Sequence, residues 1–159
     1  MTTFASPSRP GWLSLAPFLA AVAVVAVLGG LAASSSGETY RALDLPPFAP
    51  PSWVFGPVWT VLYVMIAISG WLAWRAGADR AALGAWVVQL LLNLAWTPLF
   101  FAADRYGWAL VDILVLLVAV GATIGLFRRV SPVAAWLLVP YAAWVAFATA
   151  LNLAIVVLN

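Results

Sequence analysis

The chain has 159 residues, 66% of them hydrophobic and only 8% charged, with a mean hydropathy of +1.08; a soluble domain carries about 25% charged residues, so nearly all of this one belongs in a bilayer. Its net charge of +2, seven arginines against five acidic residues, is small and spread between helix ends, so it does not suggest nucleic-acid binding. With no cysteine and no histidine, disulfides, thiolate nucleophiles, zinc sites and imidazole acid–base chemistry drop out, and only Met1, Met65 and four tyrosines remain as weak haem ligands.

Five stretches reach the length of about 20 apolar residues that a spanning helix requires: about residues 13–33, 55–74, 81–101, 107–127 and 133–158. They predict an all-α, five-helix integral membrane bundle forming a single transmembrane domain over residues 1–159. The first stretch is longer than a signal-peptide core and four more follow it, so it reads as a retained span. The connections "RAGADR", "ADRY" and "RRVSP" are tight and make neighbouring helices antiparallel.

The first connection is different. After Tyr40-Arg41-Ala42-Leu43, which suits a short helix and a turn, it runs "LPPFAPPSWVFGPVWTVLY" from Leu45 to Tyr63. Pro46, Pro47, Pro50, Pro51 and Pro57 remove backbone donors and restrict φ. Phe48, Trp53, Phe55, Trp59 and Tyr63 line the same stretch with rings. Prolines lower the entropy lost on ordering, so a loop of this kind is suited to being held as a lid over the bundle mouth.

Arg9, Arg75, Arg80, Arg128 and Arg129 fall on one side of the five spans, and Arg41 and Arg105 on the other. The positive-inside rule then puts the N-terminus in the cytoplasm, and the long first loop and the C-terminus outside. Of the ten tryptophans, Trp12, Trp53, Trp71, Trp74, Trp86, Trp108 and Trp136 lie near span ends, as an interfacial belt requires. Trp59, Trp96 and Trp144 fit a belt less well.

On the third span, Gln89, Asn93, Trp96, Thr97 and Phe100 share a helical face. Amides in hydrocarbon must find partners, so this face turns into the bundle, either to tie helices together or to meet a ligand. Pro98 loosens the helix beside it. Asp112, about a turn inside the fourth span, is a carboxylate at membrane depth that must face protein or water, or be protonated; coupling to protons is the bolder alternative to pairing with a polar neighbour. The same span carries Gly121 and Gly125 as GxxxG, and the fifth carries Ala142, Ala146 and Ala150 in register, patterns that allow close helix packing. On the fifth span Tyr141, Trp144, Ala148 and Asn152 descend one face below Pro140. A tryptophan beside small alanines leaves a flat recess, which suits a planar ligand better than a channel with a continuous polar lining.

Three segments, "YRALDLPPFAPPSWVFGPVWTVLY", "QLLLNLAWTPLFF" and "AWLLVPYAAWVAFATALN", together resemble the tryptophan-rich sensory protein/translocator protein family (TspO/MBR), also called the peripheral-type benzodiazepine receptor family. The resemblance runs from about Tyr40 to Asn152. It implies a five-helix protein, usually a homodimer, in a bacterial-type cell membrane, with a cavity that binds protoporphyrin IX or related tetrapyrroles. Some members are reported to degrade the porphyrin in light. By motif position it implies ligand contact from Tyr40 and Phe48 in the loop, Trp59 and Tyr63 on the second span, Asn93 and Trp96 on the third, and Trp136, Trp144, Ala148 and Asn152 on the fifth. The loop departs from the family pattern, with Thr39, Leu45 and Phe48 where members often carry Trp, Lys and Trp. The C-terminal "LNLAIVVLN" lacks the tyrosine and basic residue of the sterol-type pattern, which argues against sterol binding.

The residues and the resemblance lead to one principal expectation, a membrane receptor, sensor or carrier for tetrapyrroles with no cofactor of its own. A light-dependent porphyrin-degrading enzyme, with tryptophans as electron donors, is the first alternative. A small proton-coupled transporter using Asp112 is the second, although no inverted repeat is evident.

Overall fold

Backbone donors and acceptors in lipid must be satisfied within the spanning segment, which leaves helices as the solution for apolar stretches of this length. The computed structural model describes residues 11–33 and 36–159, and the described residues form seven α-helices and no strand. Arg9, which contributes to the charge asymmetry, and Met1 lie outside the described residues. A 3-10 turn, Gly11–Leu15, leads into α1 (Ala16–Ala32), and the short helix α2 (Ser36–Ala42) opens the long connection. A second 3-10 turn, Ser52–Val54, leads into α3 (Phe55–Arg75), followed by α4 (Arg80–Phe101), α5 (Tyr106–Phe127), α6 (Pro132–Leu137) and α7 (Val139–Leu158).

Five helical stretches are long and apolar enough to cross a membrane, with α6 and α7 together making the last. The expected spans agree with them to within a few residues. The helix ends follow local chemistry. Gly77, at φ 84°, ends α3 in the left-handed conformation, with Ala78 N–H donating back to Ala73 O at 3.0 Å. Asp79 caps α4 by accepting from Ala82 N–H at 2.8 Å. Ser131 does the same for Ala134 N–H, with Pro132 in the first turn of α6.

Two features depart from the sequence reading. The fifth span is interrupted at Leu138, next to Pro140, which has no N–H to continue the ladder from α6 into α7. Gly121 and Gly125 do not mediate packing within the chain. Both are exposed, and a Cβ added to either meets no atom within 4 Å. Helix α5 instead packs through the buried Ile113, Leu116, Val120, Thr123 and Phe127.

The helices pack solidly at the end that carries Arg75, Arg80, Arg128 and Arg129. There Gly70 leaves room for the Trp86 ring of α4, from which a Cβ at that position would stand 2.6 Å. Trp86 is 4% exposed and donates Nε1–H to Ile66 O at 3.1 Å, so it is core rather than the interfacial anchor its position near a span end suggested. Ser69 ties α3 to α6 by donating to Ala134 O at 2.7 Å. At the opposite end a smaller apolar cluster of Tyr40, Phe100, Ala109, Leu151 and Ile155 holds the long connection down. Between the two clusters the bundle opens.

Candidate functional site

The opening is a cavity of about 370 Å³, within the usual range of small-molecule sites. It lies among α1, α3, α4, α5 and α7, beneath the long connection, and no charged side chain among the described residues lines it. Trp59 and Tyr63 of α3 form one wall, their ring centroids 5.2 Å apart. They sit one turn apart, so a single helical face presents both. Trp96 of α4 and Trp144 of α7 supply further rings, and Ala148, one turn below Trp144, leaves room beside it.

Hydrogen bonds fix the polar floor. Tyr63 donates its hydroxyl to Asn93 Oδ1 at 3.0 Å, and Asn93 Nδ2 donates to the Tyr141 hydroxyl at 3.1 Å. Asn93 thus does what an amide in hydrocarbon must: it ties three helices together while lining the cavity. Trp96 is held by a donation from Nε1 to Asn152 Oδ1 at 3.1 Å and stacks on Phe100 with centroids 5.0 Å apart. Asn152 in turn donates to Tyr106 O at 3.0 Å. It does not line the cavity; it orients a ring that does.

The roof is the long connection. Tyr40 lines the cavity and donates to Pro50 O at 3.0 Å, closing a ten-residue loop on itself. Burial raises its phenol above the ordinary value, so it remains a neutral donor at physiological pH. Asn159 latches the loop to the end of α7: its Oδ1 accepts from Asp44 N–H at 3.0 Å and its Nδ2 donates to Asp44 O at 3.2 Å. Phe48 packs edge-on to Phe147, with centroids 6.3 Å apart.

Of the ten expected contact residues, seven line this cavity: Tyr40, Trp59, Tyr63, Asn93, Trp96, Trp144 and Ala148. Three do not. Phe48 is 52% exposed on the outside of the roof, and Asn152 is one layer behind Trp96. Trp136 is 71% exposed on α6, about two helical turns from Trp144 toward the arginine-rich end of the bundle. Asp112 also lies outside the lining, although its neighbour Ile113 is part of it. The Asp112 carboxylate is half-buried, and its Oδ2 has no hydrogen-bond partner.

The sequence reading missed α1 altogether. Ala26, Gly29, Gly30 and Ala33 line the cavity. Their spacing of i, i+3, i+4 and i+7 puts four residues no larger than alanine on one face, which is the signal that would have found them. Phe55 and Thr97, noted in the sequence for their ring and their helical face, and Phe101, within the third-span motif, also line it, as does Leu116, which nothing in the sequence reading marked. Gln89, a turn from Asn93, is fully buried and neither polar atom of its amide has a partner.

A bundle of five spans enclosing an aromatic, uncharged cavity under a proline-stiffened roof defines a polytopic membrane protein built around an apolar internal site. The profile of the TspO/MBR family matches residues 18–158, and the chain belongs to that family. It is 41% identical to the translocator protein of Homo sapiens over 149 residues, covering 90% of this chain and 88% of that one. It is 39% identical to the tryptophan-rich protein TspO of Archaeoglobus fulgidus, covering 92% and 97% of the two chains. To the tryptophan-rich sensory protein of Cereibacter sphaeroides it is 34% identical, covering 93% and 92%.

Proposed function

We propose that this protein is a membrane receptor or carrier for tetrapyrroles, with protoporphyrin IX as the representative ligand. The observation that carries the reading is the cavity, in which the rings of Trp59, Tyr63, Trp96 and Trp144 surround uncharged space. A porphyrin is flat and apolar across its middle, which suits stacking on such rings. Its carboxylates lie at one edge, and Arg41 on α2 is exposed at the lid end, where an edge reaching the interface meets a guanidinium. The absence of histidine and cysteine from the sequence favours a metal-free macrocycle over an axially ligated haem.

In this reading the protein works as a homodimer, with its N-terminus in the cytoplasm and the lid outside. Arg75, Arg80, Arg128 and Arg129 at the far end of the bundle support that orientation. The printed names of the relatives, translocator and sensory protein, support a carrier or sensor.

The test is a titration of protoporphyrin IX into the purified protein in darkness, followed by tryptophan quenching, against a Trp59→Phe/Trp144→Phe variant. Saturable binding that weakens at least about tenfold in the variant, a loss of about 1.4 kcal/mol, is the expected result. No saturable binding by the wild type overturns the assignment. Illumination of the same samples tests the enzymatic alternative, which the ring of oxidisable tryptophan and tyrosine side chains favours. Loss of pigment slowed in the variant makes the protein a photochemical catalyst, with the ligand supplying the chemistry.

A further inference from the structure

The cavity is walled on three sides and open on one. Its lining residues on α4, α5 and α7 are buried or half-buried, whereas Gly30 of α1 and Ser52 and Gly56 at the head of α3 are exposed. The reason lies in how α1 and α3 meet. At the arginine-rich end they are fastened: Trp71 Nε1 donates to Ser14 Oγ at 2.9 Å, and the Phe18 and Trp74 rings lie 6.1 Å apart. Val22 and Val25 still belong to the same core as Leu62 and Ile66.

Beyond Val25 nothing on the cavity-facing side of α1 is longer than a methyl group. Ala26, Gly29, Gly30 and Ala33 leave a gap along about 10 Å of helix, at 1.5 Å per residue. The gap lies in the half of the span nearest the lid, so it faces acyl chains. Its outer flanks are apolar, with Val27 and Leu31 exposed on α1 and Pro57 on α3.

The roof is fastened where this wall is not. Asn159 grips both backbone groups of Asp44, and Leu43, Leu45 and Ala49 pack on the cluster that contains Phe100, Leu151 and Ile155. Lifting the lid breaks those hydrogen bonds and exposes that apolar cluster to water, at about 25 cal/mol per Å². A ligand passing between α1 and α3 breaks neither.

We infer that the ligand enters the cavity sideways from the lid-side leaflet, through the gap between α1 and α3, with Gly30 and Gly56 as its gate. The inference rests on the reading that the occupant is a flat apolar molecule, which partitions into the bilayer and meets the gap there. Glycine at these two positions is a kinetic device. Neither backbone has a positive φ, and an added Cβ at either meets no atom within 4 Å, so local geometry does not require glycine.

The sequence has no cysteine, so Ala148→Cys places a single thiol inside the cavity. That protein is reconstituted in phosphatidylcholine vesicles and labelled with pyrene maleimide, which partitions into the bilayer. Adding Gly30→Leu is expected to slow labelling at least about tenfold, while adding Asn159→Ala, which releases the lid latch, leaves the rate within about twofold. Faster labelling with Asn159→Ala and an unchanged rate with Gly30→Leu overturns the portal in favour of the lid. With protoporphyrin IX in the same vesicles and native Ala148, Gly30→Leu is expected to slow association at least about tenfold. A Gly30→Leu variant that only dissociates faster makes Gly30 a contact and overturns its role as a gate. A wild type that binds no protoporphyrin IX sinks the tetrapyrrole reading, while the labelling rates still decide the portal.

Discussion

The two ends of this bundle use the same residue types for opposite purposes. At the arginine-rich end Trp86 is solid filler: it is buried, hydrogen-bonded to Ile66 O and pressed against Gly70. At the lid end Trp59 and Trp144 are half-buried, and their rings face open space. Glycine divides the same way. Gly70 makes room for the Trp86 ring, whereas a Cβ at Gly30 or Gly56 would meet no atom within 4 Å among the described residues. One end is optimised for packing and the other gives packing up to make room. Stability therefore resides mainly in the first, and the proposed ligand site in the second.

The sharpest way to break that division is to exchange the consequences of two tryptophan substitutions. Trp86→Ala removes a buried ring and its hydrogen bond, and is expected to destabilise the protein by about 3–5 kcal/mol, measured by denaturant unfolding in detergent micelles. Trp59→Ala is expected to change stability far less while abolishing saturable porphyrin quenching. Equal destabilisation by both would mean that the lid end is packed like the other.

Gly70→Ala comes next, because its Cβ would fall 2.6 Å from Cε2 of Trp86. Overpacking of this kind costs about 1–3 kcal/mol, to be read from the same unfolding midpoint. Gly56→Ala, with open space around it, is the matched control and should not shift that midpoint.

Gln89 sharpens the comparison from the other direction. Its fully buried amide makes no hydrogen bond, and an unsatisfied buried group carries a penalty of about 1–3 kcal/mol. Gln89→Met, close in size and apolar, should therefore raise stability by about 1 kcal/mol. A loss of stability in that variant would show that the amide is satisfied by water or ligand.

The smallest expected effect belongs to Asn152→Ala. It releases the Trp96 indole and a helix–helix tie, an interaction worth about 0.6 kcal/mol on average in membranes. The variant should unfold nearly as the wild type does yet bind porphyrin more weakly, because the ring is no longer oriented. Unchanged affinity would make Asn152 purely structural.

The site was partly legible before any coordinates. Trp59 and Tyr63, Asn93 and Trp96, and Trp144 and Ala148 each share a face at helical spacing, and side-chain direction in a helix follows from spacing alone. What misled the reading at Trp86 was the assumption that a tryptophan near a span end sits at an interface. Trp136, also near a span end, is exposed as that assumption requires, whereas Trp86 is core. Asn152 is a subtler case: on the face read as cavity-facing, it serves the cavity by holding the Trp96 indole.

Composition and hydropathy alone determined that the chain is a five-span membrane protein, because burying backbone polar groups in lipid admits few alternatives once apolar stretches reach spanning length. The prolines and rings of the first connection likewise announced an ordered lid. Which helix supplies the open wall was not written in any one segment. A run such as Ala26, Gly29, Gly30 and Ala33 permits close packing and permits a gap equally well. The choice depends on what stands opposite: Trp86 fills the space left by Gly70, and among the described residues no side chain fills the space beside Gly30. That is a relation between helices distant in sequence, and it exists only once they are assembled.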